Sequence, residues 1–190
     1  MRMISVMSRR LALAVGGAAA LLLAGLAAPA SAQVSEDGLF VQEWIPRGED
    51  LPAQLEQARR DGKHLVLLWE TPNCERCALF HQERLDDPDL VEHIRDSALV
   101  VQLNRLGARP VIGFDGETTT ESALAASFAM AGAPTLQILR QEIGEGDIKE
   151  SEVMRQHGYQ PPEIVRAMFD YVAERGYEEK FFAQWYRDRQ

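Results

Sequence analysis

The sequence predicts one α/β domain in which helices cover both faces of a mixed β-sheet, followed by a C-terminal helical extension. Apolar runs of strand length at residues 65–69, 98–103 and 135–139 are typical of strands buried on both faces. Helical patterns separate these runs, which favours parallel pairing of the early strands. Gly144 and Gly146 lie between the last two predicted strands and favour an antiparallel hairpin.

The elements of the first half are predicted from their end signals. The apolar residues 39–45 predict a short first strand. Asp50 is a typical N-cap residue, so a helix is predicted after it, until Gly62 ends it. A second helical pattern begins at Cys74, and Asp87 caps its continuation to about residue 96.

The second half begins with residues 104–117, a loop long enough to be either functional or an insertion. A capping box at residues 118–121 predicts a helix that continues to about residue 130. The last strand is predicted at residues 152–156, and a helix follows it from about residue 162 to 175. The aromatic segment 181–186 is expected to fold back onto the domain.

Residues 1–32 have the pattern of an export signal. Arg9-Arg10 forms a basic start, residues 11–28 are apolar and uncharged, and Ala30-Ser31-Ala32 supplies the small residues of a cleavage site. A membrane anchor is the alternative, but the apolar stretch is near the minimum of ~17–20 residues for a span, and a cleavage site follows it. We therefore expect cleavage there, a mature domain of residues 33–190, and a location in the bacterial periplasm.

Composition excludes several classes of function. Residues 33–190 carry 17 basic and 29 acidic residues, a net charge of −12, whereas a nucleic-acid-binding surface needs an excess of Lys and Arg. This charge favours solubility and a basic or neutral partner surface. The two cysteines are too few for the multi-bridge framework of a small secreted scaffold. His64, His93 and His157 are isolated in the sequence and are expected at the surface.

Cys74 and Cys77 form a C-x-x-C motif where a buried strand turns into a helix. Unpaired N–H groups at a helix N-terminus favour a thiolate, so Cys74 is the predicted nucleophile. Cys77 lies one turn deeper on the same face and is the predicted resolving thiol, which displaces a bound partner from Cys74. The motif predicts thiol–disulfide exchange in which the electrons reside on the sulfurs and no cofactor takes part.

Three other roles for the cysteine pair stay open. A structural disulfide would close a loop of only ~4 residues and remove about 2 kcal/mol of unfolded-state entropy, which makes it a weak staple. A zinc site would need ligands beyond the two cysteines, and the histidines are scattered. A copper site could use His81, one turn after Cys77, as a third ligand.

Gly132-Ala133-Pro134-Thr135 is the second candidate element. A proline that enters a strand marks a bulge, an edge or a cis peptide bond, or simply the start of the strand. A cis bond between Ala133 and Pro134 would bring this loop beside the cysteines. The backbone of Ala133 could then pair with an extended partner chain.

Together, the strand 65–69, the C-x-x-C motif, the Gly-Ala-Pro-Thr string about 57 positions later and the order of elements resemble the thioredoxin family. The resemblance covers nearly all of residues 33–190. It implies a thioredoxin fold, a reversible dithiol/disulfide centre and a cis-proline at Pro134. The residues expected to contact a partner are Asn73, Ala133 and Thr135.

Several local strings look like the periplasmic SoxW-type thioredoxins of sulfur-oxidation systems. They are ETPNC at residues 70–74, VVQLN at 100–104, the segment 110–117, and GYQPPE at 158–163. This likeness implies a reductant of periplasmic protein disulfides, such as that of a sulfur-carrier protein, with a membrane thiol transporter as electron donor. A monomer is expected. A thiol oxidase or isomerase of the disulfide-formation pathway and a copper-binding chaperone are the alternatives.

The sequence departs from the family pattern around the cysteines. Asn73 replaces the usual aromatic residue, Glu75-Arg76 replaces the usual Gly-Pro, and Leu68 replaces the usual buried aspartate. The resolving thiol then lacks that proton acceptor. Glu70, four residues before Cys74, is the candidate to take its place as a catalytic group.

Overall fold

A computed structural model describes residues 33–142 and 148–190 of the chain. The predicted export signal, residues 1–32, lies outside the described residues, and so does the predicted turn at Gly144 and Gly146. Within the two described ranges, no helix has both the length and the apolar character needed to cross a membrane.

Four strands form the main sheet, in the order β2-β1-β5-β6. The strands are β1 (His64–Glu70), β2 (Ala98–Asn104), β3 (Pro110–Ile112), β4 (Thr118–Thr120), β5 (Thr135–Leu139) and β6 (Glu152–His157), of which β3 and β4 form a separate antiparallel pair. β1 pairs in parallel with β2 and antiparallel with β5, and β5 pairs antiparallel with β6. The prediction of a mixed sheet is confirmed.

Helices lie on both faces of this sheet, as predicted. They are α1 (Leu51–Arg60), α2 (Glu75–Phe80), α3 (Pro88–Ser97), α4 (Glu121–Ser127), α5 (Pro162–Ala173) and α6 (Phe182–Arg187). A π-helical turn, His81–Leu85, continues α2, and single 3-10 turns occur at Ile148–Ser151 and Gly176–Glu178. The helix predicted from residue 118 begins only at Glu121, because residues 118–120 pair with β3 instead.

Successive side chains of β1 point to opposite faces of the sheet, so they pack against different helices. Leu65, Leu67 and Trp69 pack against α1 and α4, whereas Val66 and Leu68 pack against α2, α3 and α5. Side chains two residues apart in a strand point the same way, so the last residue of β1, a glutamate, lies on the face that α2 covers. This residue is fully buried.

The first predicted strand, residues 39–45, is not formed. Residues 33–48, which we call the N-terminal arm, pair with the main sheet through an isolated bridge between Arg47 and Gln102. Pro46 has no N–H group to continue such a ladder. Backbone hydrogen bonds of Gln102 with Pro46 at 2.8 Å and with Gly48 at 2.9 Å hold the arm to β2. An ion pair between Arg47 and Asp37, with an N–O distance of 2.8 Å, joins the two ends of the arm to each other.

Two further predictions need correction. His64 is not a surface residue: it is 3% exposed and contacts Tyr177, which lies 113 positions later in the chain. The aromatic tail folds back as expected through Phe182 and Trp185, but Phe181 is 90% exposed. The helix α6 buries only one stripe of side chains, and Phe181 precedes that stripe.

Candidate functional site

The two cysteines occupy unequal positions at the start of α2. A disulfide joins them, and Cys74 is the N-cap residue of the helix. Its sulfur accepts a hydrogen bond from the backbone N–H of Cys77 at 3.1 Å. Cys74 is partly exposed, whereas Cys77 is fully buried. A partner can therefore reach the outer sulfur, and an N–H group stabilises negative charge on it.

The turn that carries Cys74 is shaped by the residues before it. Asn73 is exposed and has a φ of 56°, a left-handed conformation that asparagine adopts more readily than most residues. The N-terminal arm lies against the same turn, since a Cβ on Gly38 would come within 3.0 Å of the Cβ of Pro72. The arm therefore forms one wall of the site.

The loop before β5 lies at the same edge of the sheet. Thr135 pairs with Trp69, so the preceding residues reach the end of β1, from which the cysteine turn departs. The bond between Ala133 and Pro134 is cis, as the family resemblance implies. The carbonyl of Pro134 accepts a hydrogen bond from the N–H of Gly158 at 2.7 Å. Within the described residues, the backbone of Ala133 makes no hydrogen bond.

Thr135, predicted to contact a partner, has a fully buried side chain. Its hydroxyl donates to the carbonyl of Gly132 at 2.9 Å and lies 2.8 Å from Nδ1 of His157. Thr135 thus stabilises the loop through its buried hydroxyl. Ala133 is half-buried and His157 is exposed.

A buried polar cluster lies behind the cysteines. The side chain of Glu70, predicted as a proton acceptor, is 1% exposed and faces the equally buried imidazole of His81. Nε2 of His81 is 3.0 Å from Oε1 and 3.1 Å from Oε2 of the carboxylate. The amide of Gln102 donates a further hydrogen bond to Oε2. Nδ1 of His81 is buried and has no hydrogen-bond partner among the described residues.

The N-terminal arm closes this cluster on one side. The ring of Phe40 lies 5.5 Å from the imidazole of His81, centroid to centroid. The carbonyl of Phe40 accepts a hydrogen bond from the amide of Gln102 at 2.6 Å. The sequence predicts Phe40 in a strand and offers His81 only as a copper ligand. The spacing of four residues between Cys77 and His81 was the available signal, since it places both on one helix face.

A second buried cluster anchors the arm to the first residue of α4 and to the loop before β3. Glu121 is fully buried and accepts from Arg47 at 3.0 Å and from Arg109 at 2.7 Å. On the arm, hydrogen bonding to the Arg47 guanidinium holds the pKa of Asp37 well below its usual range. These contacts fix the arm in place, and none of them involves Cys74 or Cys77.

The described residues contain no cluster of three or more His, Cys, Asp or Glu side chains placed to hold a metal ion. In particular, Nε2 of His81 faces the Glu70 carboxylate. The copper role considered for His81 with the two cysteines therefore gains no support from the geometry.

The fold and the cysteine geometry agree with comparisons to known proteins. Residues 51–173 match a protein family described as the thioredoxin-like domain. The chain belongs to this family. The match includes Cys74, Cys77 and Pro134, but the N-terminal arm lies outside it. No curated protein matches the chain.

Two solved structures show the same thioredoxin fold. A thioredoxin-fold protein from Helicobacter pylori is 15% identical, with a TM-score of 0.53 over 65% of this chain and 80% of that one. A thioredoxin from Thermus thermophilus is 21% identical, with a TM-score of 0.51 over 69% of this chain and 89% of that one. The protein is thus a thioredoxin-fold chain that carries a C-x-x-C pair typical of thioredoxin-like oxidoreductases.

Proposed function

We propose that the protein is a periplasmic thiol–disulfide oxidoreductase that reduces the disulfides of partner proteins, in the manner of the SoxW-type thioredoxins. The proposal rests on the different solvent exposure of the two cysteines. Cys74 is accessible and accepts a backbone hydrogen bond, whereas Cys77 is buried directly behind it. A nucleophile needs access, and a resolving thiol needs only its neighbour.

The reaction begins with the reduced protein. The thiolate of Cys74 attacks one sulfur of a partner disulfide and forms a mixed disulfide, and the other partner sulfur leaves as a thiolate. Cys77 then loses its proton and attacks the sulfur of Cys74, which releases the second partner thiolate. The partner gains two electrons and two protons, and the protein is left with the disulfide between Cys74 and Cys77.

The surface around Cys74 supports binding of an extended segment of the partner. The unpaired backbone of Ala133 offers an N–H and a C=O to such a segment. Arg76 reaches across the site, since a Cβ on Gly158 would lie 3.6 Å from its Nη1. Asn73 and His157 are exposed at the margin. Arg76 therefore places a positive charge beside the cysteines, although residues 33–190 as a whole are acidic.

The reduction potential of the Cys74–Cys77 couple tests the direction of this reaction. Equilibration with defined dithiothreitol and glutathione buffers, followed by alkylation of free thiols, should give a potential near −270 mV, about that of a thioredoxin reductant. A potential near −120 mV would instead identify a strong oxidant and overturn the proposed reducing role. The expected catalytic phenotype is loss of disulfide reduction in both Cys74→Ser and Cys77→Ser.

Partners and location are tested in the cell. Cys77→Ser should accumulate a mixed disulfide through Cys74, and the proposed partner is a periplasmic sulfur-carrier protein, with a membrane thiol transporter as the electron donor. The double variant Cys74→Ser/Cys77→Ser is the matched control and should capture nothing. Recovery of the exported protein with Gln33 at its N-terminus would support the proposed periplasmic location. A full-length protein retained in the cytoplasm would contradict it.

A further inference from the structure

His81 and Cys77 share one face of a continuous helical segment. They are four residues apart, His81 begins the π-helical turn that follows α2, and both side chains are buried. Residues with this spacing are neighbours on a helix surface, about 5–6 Å apart at Cβ. Helical side chains also lean toward the N-terminus of the helix. The imidazole therefore leans over the turn that carries Cys77.

The contact with Glu70 fixes which nitrogen of His81 carries the proton. Nε2 lies 3.0 and 3.1 Å from the two carboxylate oxygens, and an ionised carboxylate only accepts hydrogen bonds. Nε2 is therefore the protonated nitrogen, and in the neutral imidazole Nδ1 keeps its lone pair. Nδ1 is buried and unpartnered among the described residues. A buried acceptor left unpaired costs about 1–3 kcal/mol, so a stable fold needs a reason to keep one.

Glu70 itself is already engaged. Both of its oxygens face His81, and Oε2 also accepts from Gln102. A nucleophile, a neighbouring imidazole and a carboxylate that orients this imidazole form the general arrangement of nucleophile, base and orienting acid. In this arrangement the imidazole takes the proton, and the acid holds its tautomer and balances the positive charge that forms.

We infer that Nδ1 of His81 is the general base that deprotonates Cys77, and that Glu70 is the positioning residue that holds it. The inference rests on the proposed function, because it concerns the second step of that reaction. The thiol proton of Cys77 passes to Nδ1, the sulfur of Cys77 bonds to that of Cys74, and the bond from Cys74 to the partner breaks. The partner thiolate that leaves then takes up a proton, which restores neutral His81.

A carboxylate faces the imidazole on which the positive charge forms during this step. Glu70 on β1 is the charged group that faces His81, while Gln102 on β2 and Phe40 on the arm are uncharged. Arg84, on the same π-helical turn, bonds instead to the Tyr159 hydroxyl and to the backbone carbonyls of Gln160 and Glu83, and it pairs with the Glu83 carboxylate. The positive charge that forms on His81 therefore meets a buried carboxylate.

A stopped-flow reaction of the reduced protein with one equivalent of 5,5′-dithiobis(2-nitrobenzoate) separates the two steps. Attack by Cys74 releases the first coloured thiolate, and resolution by Cys77 releases the second. Removal of a general base typically slows the step that it serves by about 100-fold or more. We expect His81→Gln to slow the second phase by about 100-fold and to leave the first phase within about 3-fold. His93→Gln is the matched control and should leave both phases unchanged.

The choice of glutamine separates a base from a structural residue. The amide introduced by His81→Gln can still donate a hydrogen bond to Glu70, but it cannot accept a thiol proton at neutral pH. A slow second phase in both His81→Gln and Glu70→Gln supports the inference. A normal second phase in His81→Gln overturns it, and with a slow Glu70→Gln it transfers the role of base to Glu70. Absence of the first phase in the folded native protein would contradict the proposed function itself.

A measurement on the unsubstituted protein serves if His81→Gln does not fold. The ¹⁵N and ¹H resonances of the imidazole in the reduced protein report its tautomer. We expect a proton on Nε2 and an unprotonated Nδ1 at neutral pH. A proton found on Nδ1 of the neutral ring would overturn the inference, because that nitrogen could not then accept one from Cys77.

Discussion

Acidification should destabilise the protein through His64. This residue begins β1, is 3% exposed, and lies with Nε2 3.2 Å from the hydroxyl of Tyr177. The two rings meet edge to face at 5.8 Å. Burial, assisted by the positive charge of Arg175, lowers the pKa of His64 from 6.5 to about 4. The folded protein therefore favours the neutral imidazole.

The sign and size of the effect follow from linkage. Between pH 6.5 and about 4 the unfolded chain protonates this histidine while the folded chain does not, so the free energy of unfolding falls as the pH falls. One pKa unit corresponds to 1.36 kcal/mol. His64 should therefore reduce the free energy of unfolding by about 2 kcal/mol between pH 7 and pH 5, and by about 3 kcal/mol in total below pH 4.

Urea denaturation of the oxidised protein at pH 7, 6 and 5 measures this quantity. His64→Gln removes the titrating group, so the difference in unfolding free energy between the native protein and this variant should shrink by about 2 kcal/mol from pH 7 to pH 5. His157→Gln removes an exposed imidazole and serves as the matched control. Parallel pH profiles for the native protein and His64→Gln, within about 0.5 kcal/mol, would refute the reasoning.

Four other substitutions, one of them a matched control, test the backbone, the packing and the buried ion pairs. Ala129 has a φ of 52° just after α4, so Ala129→Gly should stabilise the protein by about 1 kcal/mol. Ala126→Gly, at an exposed position within that helix, is the control and should destabilise the protein by about the same amount. Equal melting temperatures of the two variants would contradict this prediction. Trp185 is 5% exposed and packs edge to face on Tyr171, so Trp185→Ala should lower the unfolding free energy by about 3–5 kcal/mol. A loss below about 1 kcal/mol in urea denaturation would contradict the close packing of α6 on the domain. Glu121→Ala leaves two arginines without their buried carboxylate, so it should lower the unfolding free energy by about 3–5 kcal/mol in the same assay. Little change would show that these ion pairs do not anchor the arm.

The central sheet could be predicted because local signals agree with the tertiary structure. Residues 65–69 form an uninterrupted apolar run, and the strand found is His64–Glu70. The run at 135–139 matches β5 in both bounds. Such strands are buried on both faces, so their uninterrupted apolar sequence is enough to predict that they lie inside the sheet. The position of the C-x-x-C motif after the first of these strands then placed both cysteines at a helix start.

Features held by long-range side-chain contacts could not be predicted in this way. Residues 39–45 of the N-terminal arm are as apolar as a strand, but no ladder forms there, and the nearby Arg47 bonds to Glu121, 74 positions away. His64 lies between Lys63 and the apolar run 65–69, and its buried position depends on Tyr177 in the C-terminal extension. Glu70 is a candidate from sequence because it lies four residues before Cys74, but its contact with His81 depends on how α2 and the turn after it pack on the sheet.

The placement of a carboxylate at position 70 rather than 68 explains why His81, Gln102 and the arm meet behind the cysteines. Leu68 and Glu70 point to the same face of β1, and two residues along a strand amount to about 7 Å. At position 68 the side chain lies in the apolar layer with Phe80, whereas at position 70 it reaches the end of the strand. A carboxylate buried there must be paired, because an isolated buried charge is very costly. His81 supplies one partner and Gln102 the other. The arm then covers them, so the site depends on residues that precede the matched family region.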